Sequence, residues 1–104
     1  MTTIIINGVK WKVFVVDSNH ARLVDEKGNQ DAYGITLFRN SEIYIDGGLA
    51  PEVFKQVIVH ELVHAIAFSY CTDINMIGEE EVCDFIAAHF NELKSLRKTV
   101  LKSI

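Results

Sequence analysis

The sequence predicts an α+β fold: a small antiparallel or mixed β-sheet at the N-terminus followed by two helices. Three observations carry this. β-branched and aromatic residues separated by turn signals fill the first half, and apolar residues at helical spacing fill the second. The single proline, Pro51, falls at the change-over. The 104 residues, 49% of them hydrophobic, suit one domain over 1–104 with a genuine core.

The elements follow in order. Ile4, Ile5 and Ile6 lead into Asn7-Gly8, a strong hairpin signal, and Val9 to Val16 resumes with Trp11, Val13 and Val15 on one face. Asp17-Ser18-Asn19 opens a short stretch, His20 to Val24, that fits either one helical turn or a third strand. Asp25 to Gln30 is a polar turn. Tyr33 to Phe38 and Glu42 to Asp46 read as strands joined by Arg39-Asn40-Ser41, with Ile43 and Ile45 alternating with Tyr44 and Asp46. Gly47-Gly48 ends the sheet region. Pro51 and Glu52 suit the first turn of a helix, where a missing N–H costs nothing and a carboxylate complements the dipole. That helix should reach about Tyr70, with a loop from Cys71 to Gly78. The last helix starts in Glu79-Glu80-Glu81 and ends among Lys94, Arg97, Lys98 and Lys102, the charge order that a helix dipole favours.

Charge and composition exclude several classes. Ten Lys and Arg against 14 Asp and Glu give a net charge of -4, which argues against nucleic acid and anionic membranes as partners. The basic end, Lys94 to Lys102, reads as a solvated helix terminus. Two cysteines are too few for a disulfide scaffold, and Cys71 and Cys83 read as buried, reduced thiols. Met1 to Val15 lacks the marks of a signal peptide, and no apolar run approaches the roughly 20 residues of a membrane span. A soluble, cytoplasmic chain is the expectation.

One motif dominates the chemistry: His60-Glu61-Leu62-Val63-His64. Residues four apart share a helix face, so two imidazoles converge at a separation suited to a tetrahedral metal, and Glu61 can reach a water there as general base. Nine of the twelve residues from Val57 to Phe68 are apolar, the exceptions being His60, Glu61 and His64. Such a helix is expected to be buried, where these three side chains need partners. Core histidines bonded to backbone carbonyls would leave Glu61 unexplained. Glu80 is the candidate third ligand, and Asp84, four residues on, would accept the N–H of a ligating imidazole. Glu79 and Glu81 remain alternatives to Glu80.

His60-Glu61-x-x-His64 followed by Glu80-x-x-x-Asp84 resembles the gluzincin zinc metallopeptidases over about Gly34 to Phe90. The size and layout look more like the minimal metallopeptidase domains of phages and other mobile elements. The resemblance implies a minimal zincin core and one Zn²⁺ per chain held by His60, His64 and Glu80. It also implies Asp84 as a support for a ligand histidine and Glu61 as the base that takes a proton from a zinc-activated water. A protein or peptide is the implied substrate, laid along the strand before the active-site helix, at Ile43, Tyr44 and Ile45. Tyr70 is the candidate oxyanion donor, preferred to His89. The alternative function is a zinc-containing module that binds or supports a protein partner without hydrolysing peptides.

Overall fold

The computed structural model describes all 104 residues and has the α+β order expected. Strands β1 (Thr2–Ile6) and β2 (Val9–Val16) form the N-terminal hairpin, with Thr2 opposite Val13 and Ile6 opposite Val9. Asn7 and Gly8 adopt φ of 48° and 79°, the left-handed pair that lets a two-residue turn follow the strand twist. The Asn7 amide also donates to the backbone oxygen of Ser69 at 2.9 Å, which ties the hairpin to the first helix.

Residues 17–32 form neither a helical turn nor a full strand. They make a looped excursion closed by a single bridge between Val24 and Gln30, with Leu23 buried beneath it. Asp46, 1% exposed, anchors this excursion: its carboxylate accepts hydrogen bonds from Ser18 Oγ (2.7 Å), Gln30 Nε2 (2.6 Å) and Gly48 N (2.8 Å). Burial pushes this carboxyl up. The bonds from Gly48, Ser18 and Gln30 together outweigh burial and hold it below its usual range.

The chain then returns as β3 (Gly34–Leu37) and β4 (Glu42–Asp46). The four-stranded sheet runs β1-β2-β4-β3, with β4 parallel to β2 and antiparallel to β3. β4 is therefore an inner strand. The strand expected to carry a peptide, Glu42 to Asp46, thus has no free edge; the edge is β3, because the chain crosses over before it turns back.

Helix α1 (Pro51–Ser69) lies across one face of the sheet. Ile58, Leu62, Ala65 and Ile66 meet Ile4, Ile6, Trp11, Val13, Ile43 and Ile45, the residues that alternate onto that face. Trp11 is wholly buried, and its Nε1–H donates to Ser69 Oγ at 2.8 Å. Helix α2 (Glu79–Lys102) adds Phe85, Leu93 and Val100 to the core. Its C-terminal end is tied back to β1 by a hydrogen bond between the hydroxyls of Thr2 and Ser103. Neither helix is long and apolar enough to cross a membrane.

α1 is not buried all round, as its composition suggests. His60 and Phe68 are exposed, and Val57, Val59, Val63 and His64 are half-buried, because α2 and the sheet leave one flank of the helix open.

Candidate metal centre

His60 and His64 stand one helical turn apart on that open flank, with their Nε2 atoms 3.3 Å from each other. Two nitrogens at about 2.0–2.1 Å from a zinc ion, at a tetrahedral angle, are separated by about 3.3–3.4 Å. The pair therefore fits two corners of such a site. The desolvation argument does not apply to His60, whose side chain is 68% exposed. It applies to Glu61, whose side chain is 8% exposed, with Oε2 3.8 Å from His60 Nε2.

A buried carboxylate needs donors. Glu61 finds one on β3: Thr36 Oγ donates to Oε1 at 2.9 Å and lies 3.3 Å from the Glu61 backbone oxygen. Gly34 lets β3 approach closely, since a Cβ built there would stand 2.7 Å from Val57 Cγ1 and 3.0 Å from Glu61 Cγ.

His64 also borders a cleft of about 570 Å³. Phe38, at the end of β3, meets the His64 ring edge-on at 6.2 Å and lies 5.2 Å from Phe68, one turn after His64. Val9, Ala67 and Ile74 complete the apolar wall. Phe38 is 43% exposed and Phe68 46%, so these rings line an open surface rather than the core.

Glu80 and Asp84 are not brought to the histidines, and nowhere do three His, Cys, Asp or Glu side chains gather into a metal-binding group. The reason is the register of α2. The buried stripe Phe85, Leu93 and Val100 fixes its inner face, and Glu80 lies roughly half a turn round from it. Both carboxylates are exposed, as are Glu79 and Glu81. His89 and Glu92 are the half-buried polar residues towards the inner face, with the His89 ring 4.6 Å from that of Phe85.

Tyr70 is drawn to the same place. Its ring lies 4.4 Å from that of His89, and its hydroxyl donates to Glu92 Oε2 at 3.1 Å. Burial, and then the bond to Glu92 and its charge, push the phenol above its ordinary value. That hydroxyl is committed to α2 and is not turned towards an oxyanion.

The three substrate-strand residues are occupied as well. Ile43 and Ile45 are 1% exposed in the core, and Tyr44 stacks on Phe14 at 4.8 Å. With β3 and β2 on either side, β4 has no open edge for a peptide; β3 does. Cys71 and Cys83 are free but exposed rather than buried.

Thr36 and the Phe38–Phe68 pair escaped the sequence reading. Nothing local marks Thr36, which lies 25 positions from the carboxylate it meets. Phe68 carried a usable signal, since it sits at i+4 from His64 and so on the same helix face. Comparison of the chain with protein-family profiles, with curated proteins and with solved structures returned no match.

Proposed function

We propose that this chain is a zinc-dependent peptide hydrolase in which His60 and His64 hold the metal and Glu61 is the general base. The observation that carries the reading is the convergence of the two Nε2 atoms at 3.3 Å beside a buried, hydrogen-bonded carboxylate. The resemblance of His60-Glu61-x-x-His64 to the gluzincin motif supports it. Zinc, when bound, would polarise a peptide carbonyl and make water acidic near neutral pH. Glu61 would take the proton at Oε2, the oxygen that Thr36 leaves free, and return it to the leaving amine.

Glu80 is the carboxylate that the sequence pattern offers as third ligand, and its role is tested by substitution because it makes no contact with the pair. An extended peptide would add to the open edge of β3, beside α1, and offer an apolar side chain to the cleft next to His64. Two free cysteines suit a reducing, cytoplasmic setting. The rival reading, a zinc-holding module that works only through a partner, has no use for a buried carboxylate beside the histidines.

The test is cleavage of a mixed-sequence set of quenched fluorescent peptides by the zinc-loaded chain and by Glu61→Gln. Wild type should cleave, and the variant should keep its zinc while losing at least about 100-fold in rate. Equal cleavage by the two proteins would overturn the assignment of the base.

A further inference from the structure

The only hydrogen bond that the Glu61 carboxylate accepts comes from Thr36, on a different element. Both residues are buried, Thr36 at 9% and Glu61 at 6% exposure. With Oε1 held by the Thr36 hydroxyl, Oε2 is the oxygen turned towards His60, 3.8 Å from its Nε2. Gly34, on the same face of β3, closes against Glu61 Cγ. β3 thus holds this side chain at Oε1 and, by its close approach at Gly34, leaves little space beside Cγ, which restricts torsions that a glutamate otherwise explores freely.

We propose that Thr36 is a positioning residue for Glu61: its hydroxyl fixes the carboxylate so that Oε2 faces the metal-ligand pair. The inference rests on the hydrolase reading, in which Glu61 is the base. It also joins two parts of that reading, because Thr36 belongs to the strand along which the peptide would add. Valine at this position keeps the shape and removes the donor. Oε1 is then left buried without a partner, and the carboxylate must turn away to find one. Serine keeps the donor.

The experiment compares wild type, Thr36→Val and Thr36→Ser as whole, zinc-loaded chains, with Thr36→Ala repeating the loss of the donor without the β-branched shape. Zinc stoichiometry is read by native mass spectrometry, and hydrolysis with the mixed-sequence peptides. The Glu61 carboxyl carbon is followed by ¹³C NMR, assigned through Glu61→Gln. One zinc should remain in every Thr36 variant. In Thr36→Val, kcat should fall about 10- to 100-fold, the scale of a small misplacement of a reacting group, while KM stays within about twofold. The Glu61 signal should move in Thr36→Val, and Thr36→Ser should restore both rate and signal. An unchanged kcat in Thr36→Val, or a serine variant as impaired as the valine one, overturns the proposal. If wild type cleaves none of the peptides, the hydrolase reading falls and the NMR arm decides alone. A Glu61 signal that stays put in Thr36→Val then overturns the positioning role, and one that moves and is restored by serine upholds it.

Discussion

Gly34 lies directly against Glu61, so close that a Cβ on the glycine would stand 3.0 Å from Glu61 Cγ and 2.7 Å from Val57 Cγ1. The seam between β3 and α1 therefore has no room for a side chain at this point. Gly34→Ala should destabilise the fold by about 1–3 kcal/mol, the ordinary cost of overpacking. Val57→Ala should recover part of that loss in the double variant, because it removes the nearer obstacle. Urea unfolding of the four proteins of the cycle checks this; strictly additive losses would mean that the seam is looser than described.

Asp46 makes a prediction about acid. Its folded carboxyl sits below the ordinary 3.8, so the ionised form favours the folded state. That contribution is present above this ordinary value and is lost as pH falls through the lowered folded value. Asp46→Asn keeps an acceptor for Ser18 and Gly48 but turns an N–H₂ towards Gln30 Nε2. The variant should be less stable than wild type at pH 7, and the gap should close as the pH is lowered. Thermal unfolding between pH 7 and pH 3 measures it, and a gap independent of pH would show that the carboxylate charge plays no part.

Phe38 borders the cleft without belonging to the core, at 43% exposure. Phe38→Ser should leave the fold intact at a cost of about 1–2 kcal/mol, since the ring is half covered and packs on Phe68. If the cleft receives an apolar substrate side chain, KM for peptides carrying one should rise about tenfold, with little change for polar peptides. A uniform change across both sets would remove the cleft from substrate recognition.

Much of this was legible in the sequence. Asn7-Gly8 announces its hairpin, Pro51 the start of α1, and Glu79 to Lys102 the span of α2, because each signal is local. Pairing is not local. Glu42 to Asp46 looks the same whether it ends a sheet or sits inside one, and only the crossover through residues 17–41 makes β3 the edge. Glu80 and Asp84 share a face, as their spacing requires, yet it is the face opposite Phe85, Leu93 and Val100. Setting the i, i+4 acidic pair against the apolar stripe of the same helix would have exposed that conflict. Thr36 meets Glu61 only through the fold.

Zinc held by His60 and His64 is the premise of the proposed hydrolysis. The most direct measurement is native mass spectrometry of the untagged chain with zinc supplied, beside His60→Ala, His64→Ala and Glu80→Gln. One zinc per chain in wild type, lost in both histidine variants and unchanged in Glu80→Gln, whose carboxylate lies on the outer face of α2, is the expected result. No zinc in wild type, or zinc that survives the removal of either histidine, would show that this pair is not the metal site.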